Sequence, residues 1–198
     1  RTVTPPSINL LFPHYWQAQL LSARPFILPT RRYVYPAQAE EIERGALEVL
    51  ISPHPPELHA QPSLGTQPFL ATCALGFNDP VVPSGVWSCP NPEEICTVAG
   101  GYTYIISVTK PERFTLLELR PVLEIHPVSI PGLLIFVGHR NILAWDTAGL
   151  AWNSAKLSDE GLTVSAINDK TLHGMGWNMI TDKEAPFTLD LRTGKRLA

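Results

Sequence analysis

Four residues in the C-terminal half of the chain could supply a general acid–base site. They are two histidines that neighbour a glycine, His139 and His173, and two aspartates in predicted turns, Asp146 and Asp182. An imidazole beside a carboxylate can accept and return a proton during hydrolysis. The chain has no Gly-x-Ser-x-Gly turn, so a nucleophilic serine is not predicted. A hydrolase that uses a His/Asp pair on the rim of a β-sheet is the catalytic alternative for this sequence.

Three tryptophans offer a second kind of chemistry, the recognition of a ligand by aromatic rings. Trp145 and Trp152 flank one predicted turn, and Trp177 follows further along the chain beside Asn178. Exposed rings could form a platform for a sugar or a partner side chain, with Asn178 supplying hydrogen bonds. The same residues could instead fill a hydrophobic core. Binding therefore requires that the rings are not buried.

The number and spacing of the cysteines favour free thiols over a metal site. Cys73, Cys89 and Cys96 are an odd number and cannot all pair within one chain, which favours free thiols and a cytoplasmic location. A bridge between Cys89 and Cys96 is the alternative, and secretion stays open because the chain begins without a methionine. There is no Cys-x-x-Cys and no histidine pair at helical spacing. We expect no metal and no cofactor.

The composition argues against nucleic acid and membrane partners. The 198 residues carry 15 Lys+Arg against 18 Asp+Glu, so there is no basic excess to hold phosphates. The longest apolar run is Leu133–Val137, far shorter than the roughly 20 residues that a membrane-spanning helix needs. With 44% hydrophobic residues, the chain is expected to fold rather than remain disordered.

Proline divides the chain into an N-terminal segment and a patterned remainder. Fifteen of the 20 prolines lie at or before Pro92, and proline disrupts the interior of helices and strands. Residues 1–36 are therefore predicted to form an extended arm with short strands at most. The strong helix formers after Pro36 predict one short helix near 37–45, and residues 46–51 fit either a helix or a strand. Residues 52–68 are predicted to form a loop, so the predicted division is 1–68 and 69–198.

From Phe69 onward the pattern is that of short strands between turns. Val, Ile, Thr, Tyr, Phe and Trp dominate runs of three to seven residues. The predicted strands are Phe69–Leu75, Gly85–Ser88, Cys96–Val98, Tyr102–Val108, Phe114–Leu119, Val122–Ile125, Leu133–Val137, Ile142–Trp145, Leu150–Trp152, Leu162–Ile167 and Phe187–Leu191. The sequence predicts an all-β, mainly antiparallel fold, arranged as a meander, a propeller-like array, a sandwich or a barrel.

Three glycines suggest an internal repeat. Gly100, Gly138 and Gly176 are spaced by 38 residues, and each follows an apolar run. A period near 40 residues with several strands per unit is typical of propeller blades. Trp145-Asp146 is similar to the dipeptide of some propeller blades, but the histidine-containing partner motif is absent, so no family is assigned.

The sequence favours binding over catalysis. It has no convergent catalytic set, whereas turn-rich β surfaces and surplus aromatics are typical of interaction modules. We therefore predict a non-catalytic β-sheet module whose partner is an unidentified protein or small molecule. Uncovered strand edges would also allow a homodimer.

Overall fold

The computed structural model describes residues 5–37, 43–53 and 66–197, and these residues form strands joined by turns. The chain divides into two compact units, residues 1–120 and 121–198. The predicted all-β, mainly antiparallel fold is confirmed. Within the described ranges, no helix has the length and apolarity needed to cross a membrane.

Unit 1 contains a four-stranded sheet, sheet I, in the order β2-β4-β5-β3. β4 pairs with β2 and β5 in antiparallel fashion, whereas β3 runs parallel to β5. The two edge strands of sheet I both come from the proline-rich N-terminal segment. The strands of sheet I are β2 Trp16–Leu21, β3 Arg31–Tyr35, β4 Ala46–Pro53 and β5 Phe69–Ala74.

Unit 1 also contains a five-stranded sheet, sheet II, in the order β1-β6-β7-β8-β9. β1 adds to the edge strand β6 in parallel, and the other pairs are antiparallel. Its strands are β1 Ser7–Asn9, β6 Gly85–Ser88, β7 Glu94–Ala99, β8 Tyr102–Ser107 and β9 Phe114–Leu116.

The core of unit 1 lies between these two sheets. Alternate residues of β4 point inward, so that Val49 and Ile51 are fully buried against Ile95 and Ile106 of sheet II. Tyr35 joins them and donates its hydroxyl to the carbonyl of Pro111 at 2.6 Å. Burial of this phenol is the main reason that its pKa is raised well above its ordinary value.

Unit 2 consists of two antiparallel sheets, sheet III in the order β10-β11-β12-β13 and sheet IV in the order β14-β15-β16. All of its strand pairs join consecutive strands. The strands are β10 Glu124–Val128, β11 Leu133–Val137, β12 Ile142–Asp146, β13 Gly149–Asn153, β14 Leu162–Ile167, β15 Thr171–Asn178 and β16 Lys183–Asp190.

The core of unit 2 lies between sheets III and IV. Ile135 and Ile142 of sheet III are fully buried against Leu172 and Leu189 of sheet IV. Trp152 belongs to the same cluster, at 7% exposure. Each sheet has one apolar face, and the two sheets pack together because burying these faces away from water is favourable.

The short helix and the extended arm are not confirmed. Residues 38–42, most of the predicted helix, lie outside the described residues, and Glu43–Arg44 form a single 3-10 turn. Residues 46–51, whose sequence fits either a helix or a strand, belong to β4, where Leu47, Val49 and Ile51 enter the core with the period of a strand. The N-terminal segment is built into both sheets of unit 1, so it is not a separate arm.

The 38-residue glycine spacing does not mark three equivalent positions. Gly100 lies in the turn between β7 and β8 with φ of 54°, and Gly138 lies in the turn between β11 and β12. Gly176 lies inside β15, where a Cβ atom would come within 2.0 Å of the carbonyl oxygen of Leu157. The first two glycines lie in turns and the third lies within a strand, although Gly100 also has a close backbone neighbour, since a Cβ atom there would lie 2.3 Å from the carbonyl oxygen of Phe77.

Candidate functional site

The structure places the four acid–base candidates in separate roles. His139 is exposed after β11, and its carbonyl accepts the N–H of Gly161. Asp146 ends β12, and its Oδ1 accepts the amides of Ala148 and Gly149. Asp182 is an exposed residue of the β15–β16 loop with φ of 50°.

His173 lies on β15 between two hydroxyl groups. Its Nε2 is 3.0 Å from the Oγ1 of Thr171, and its Nδ1 is 3.0 Å from the Oγ1 of Thr188. Both ring nitrogens therefore contact threonines, which hold the ring against the sheet surface. The predicted pairing of His173 with an aspartate is not among the contacts of its ring in the described part of the chain.

A histidine–acid pair that the sequence reasoning missed lies on β10. The Nε2 of His126 is 2.8 Å from the Oε2 of Glu124, and both side chains are about one-third exposed. They are two residues apart on one strand, which places them on the same face. The predicted strand Val122–Ile125 ends before His126, whereas the observed strand continues to Val128 and places both side chains on it.

The three candidate tryptophans differ in exposure. Trp145 and Trp152 are both buried, and the Nε1 of Trp152 donates to the carbonyl of Leu191 at 2.8 Å. Trp177 is half-buried, because it lies on the face of β15 that points away from the core of unit 2. Of the three rings, Trp177 is the most exposed.

We define the hairpin surface as His173, Met175, Trp177, Met179 and Ile180. The first three alternate along β15 on its half-exposed face, while Leu172, Gly174 and Gly176 point into unit 2. Met179 and Ile180 follow along the chain in the β15–β16 loop, where they are 65% and 91% exposed. The structure thus brings His173 and Trp177 onto one surface, beside Asn178 and Asp182.

Hydrogen bonds hold the loop of the hairpin surface in one conformation. The Oδ1 of Asn178 accepts the amides of Ile180 at 2.9 Å and Thr181 at 3.1 Å. The amide of Met179 donates to the Oδ2 of Asp159 at 2.7 Å, and Lys156 forms an ion pair with the same carboxylate. Asn178 is therefore a turn-forming residue, and the apolar side chains are displayed by an ordered loop.

The charge on Asp159 supports this loop. The hydrogen bond from Lys156 and then the bond from the Met179 amide hold the pKa of Asp159 below its ordinary value. The carboxylate is consequently ionised at neutral pH and available to accept both bonds.

All three cysteines are free and buried, so the bridge between Cys89 and Cys96 is not formed in this structure. The Sγ of Cys73 lies 3.2 Å from the Oγ1 of Thr97, which lies on β7. Burial raises the pKa of Cys73 to about 12 and raises that of Cys89 and Cys96 as well. Thiols in such an environment stay protonated and are poor nucleophiles.

We expect the three native thiols to resist modification. At pH 8 a raised pKa leaves almost no thiolate, and burial blocks access to the sulfur atoms. Reaction with a chromogenic disulfide should be negligible for the native protein and should reach three thiols per chain in denaturant. Rapid modification of even one thiol without denaturant would contradict this arrangement.

The described residues contain no group of three or more His, Cys, Asp and Glu side chains that could hold a metal ion. They do form an open depression of about 430 Å³ in unit 1. Glu93, Glu94 and Glu112 line it together with Arg113 and Phe114. Its mixed lining does not converge on a particular ligand.

Comparisons with known proteins give a weak structural likeness. No family model and no curated protein matches the chain. The N-terminal domain of Nup159 has a TM-score of 0.37 and 8% identity, covering 98% of this chain and 53% of that chain. A chain in the structure of S. cerevisiae Dbp5 bound to Nup159, Gle1, IP6 and ADP has a TM-score of 0.38 and 9% identity, covering 96% and 52%. The chain spans about half the length of these structures, and a similarity at this level does not bear on function.

Proposed function

We propose that the protein is a non-catalytic binding module that recognises a protein partner through the hairpin surface. The observation that carries the proposal is the near-complete exposure of Ile180, at 91%, beside the exposed Met179 and the half-buried Trp177. Large apolar side chains that adjoin one another at the surface are typical of interaction sites.

The composition of the hairpin surface suits protein recognition. Tryptophan supplies a large contact area and is frequent among the residues that dominate binding energy. Methionine adapts its flexible thioether chain to the shape of a partner, and Met175 and Met179 lie on either side of Trp177 along the chain. A partner that presents its own apolar side chains would bury all three.

The neighbouring strand edge argues for side-chain contacts rather than strand addition. Pro186 on β16 has no amide to donate, and its carbonyl accepts from Arg196 at 3.2 Å. The end of β16 is already paired, because Leu197 donates to Thr188 and Asp190 donates to Lys195. A partner would therefore dock on the face and loop of the hairpin surface.

We expect a photo-crosslinking amino acid at position 180 to capture a discrete partner in cells. The same amino acid at Asp169, an exposed residue in the turn between β14 and β15, is the matched control and should capture nothing comparable. Adding Met179→Asp to the position-180 variant should lower the adduct about tenfold or more, because it places a charge in the apolar contact.

Stability measurements separate loss of binding from loss of folding. Met179 is an exposed loop residue, so Met179→Asp should leave the free energy of unfolding within about 0.5 kcal/mol of the wild type. Equal adduct yields from positions 180 and 169, or an adduct unaffected by Met179→Asp, would contradict the proposed surface.

A further inference from the structure

The outer edge of β2 lacks the features that usually keep a strand edge from pairing. β2 is Trp16-Gln-Ala-Gln-Leu-Leu21, with no charged residue and no proline. Its six residues pair with β4 in an unbroken register, so no bulge twists the strand away. An uncharged and regular edge of this length is a template for a further strand.

Other edges in the described part of the chain carry such protection. β3, the opposite edge of sheet I, begins with Arg31 and Arg32. β14 has a register shift between Val164 and Ala166, and β16 carries Pro186. Among the described edge strands of five or more residues the contrast singles out β2, since each of the others carries a charge, a bulge or a proline that opposes pairing.

Burial along β2 shows that its inner face is incompletely covered. Ala18 and Leu20 point toward the core of unit 1 but are only partly buried. Val49 and Ile51, their neighbours on β4 with the same orientation, are fully buried. One more strand beyond β2 would cover Ala18 and Leu20 as β4 and β5 cover each other.

We propose that two copies of this chain pair through β2 in antiparallel orientation, which joins their four-stranded sheets I into one continuous sheet. In an antiparallel pair, residues that lie opposite each other across the two strands point to the same side of the sheet. A residue that points toward the core must therefore pair with another such residue, so the two-fold axis passes beside Ala18 or beside Gln19. The first position of the axis places Ala18 opposite Ala18 of the second copy, and the second position places Gln19 opposite Gln19 of the second copy. Either position keeps Trp16, Ala18 and Leu20 on the core face and Gln17, Gln19 and Leu21 on the other.

A second copy suits this edge because the edge is complementary to itself. No like charges meet, and Gln17 and Gln19 can exchange amide hydrogen bonds on the exposed face. The antiparallel orientation also brings the loop after Leu21 beside the start of β2 of the second copy. That loop carries Phe26 and Ile27, whose side chains are almost completely exposed. Their burial would add apolar area to the interface.

Sedimentation velocity of the full chain tests the pairing. The wild type should shift reversibly from monomer to dimer between about 1 µM and about 200 µM, as expected of a small interface. Gln17→Lys with Gln19→Lys should weaken the dimer about tenfold or more, because like charges then lie across the two-fold axis. The matched control adds two lysines at Thr147 and Thr163, exposed residues of unit 2, and should dimerise as the wild type does.

Single cysteines report the register, since the native thiols are buried. Gln19→Cys alone should form a disulfide-linked dimer on oxidation if the axis passes beside Gln19. A mixture of the Gln17→Cys and Gln19→Cys variants should form a disulfide-linked dimer if the axis passes beside Ala18. Thr163→Cys is the control. A chain that stays monomeric over the whole concentration range, with crosslinking no higher than the control, overturns the proposal, and so does a dimer that the lysines at positions 17 and 19 leave unchanged.

Discussion

Gly176→Ala is expected to destabilise unit 2 by about 3 kcal/mol, because the added methyl group has no space. Its Cβ atom would lie 2.0 Å from the carbonyl oxygen of Leu157 and 3.4 Å from the Cβ of Ser158. The nearest atom belongs to the backbone, so no side-chain rotation relieves the overlap. Urea unfolding followed by circular dichroism would measure the loss.

Gly161→Ala separates this steric effect from backbone strain. Gly161 has φ of 85°, a conformation that disfavours alanine, yet a Cβ atom there would meet nothing within 4 Å. We expect the strained backbone alone to lower the free energy of unfolding of Gly161→Ala by about 1–2 kcal/mol. A Gly161→Ala variant less stable than Gly176→Ala would show that Leu157 does not approach β15 tightly.

Trp152→Ala should lower the free energy of unfolding by about 3–5 kcal/mol, more than Gly176→Ala does. The ring lies in the core of unit 2 and also packs over Gly194. A Cβ atom added at Gly194 would lie 2.3 Å from the ring atom Cε3. Removing the ring leaves a cavity between sheets III and IV. The free energy of unfolding by urea, followed by circular dichroism because the substitution removes a fluorophore, gives the measurement.

Trp152→Phe isolates the hydrogen bond of the indole. The phenyl ring retains most of the volume but leaves the buried carbonyl of Leu191 without its 2.8 Å donor, which should cost about 1–3 kcal/mol. Leu150→Ala on the same strand is the surface control, because Leu150 is exposed. If Trp152→Ala and Leu150→Ala had similar effects, the burial of Trp152 would not be holding unit 2 together.

Strand prediction succeeded where short runs of β-branched and aromatic residues lie between turn-forming residues. Gly85–Ser88, Leu133–Val137 and Leu162–Ile167 have the predicted bounds. In these segments the residue types and the turn signals agree, so local chemistry suffices. The same agreement was the basis for predicting an all-β fold.

Two strands escaped prediction because their sequences have weak strand preference. β2 contains Gln, Ala and Leu, and it becomes a strand by pairing with β4. β15 contains Gly174 and Gly176, which are unfavourable in strands taken alone. Gly174 is needed because Phe187 and the carbonyl of Thr163 approach it, a contact that only the folded chain reveals.

The candidate site was only partly accessible from sequence. Trp177 is one of the three candidate tryptophans, but the local sequence does not distinguish it from Trp152. Whether each ring is buried or exposed depends on the sheets that pack around it. Met179 and Ile180 were overlooked although a signal existed. Two large apolar residues between Asn178 and Asp182, both turn formers, predict apolar side chains at an exposed loop.

The parallel strand β1 has a consequence for the order of folding. The amide of Phe12, just after β1, donates to the Oγ of Ser88 across 76 residues, and β1 itself pairs with β6. Such a contact must close a long loop, which slows folding, whereas the consecutive hairpins of unit 2 close short ones. During synthesis the N-terminal strand of unit 1 must therefore wait for β6 to leave the ribosome, although it is itself the earlier to emerge.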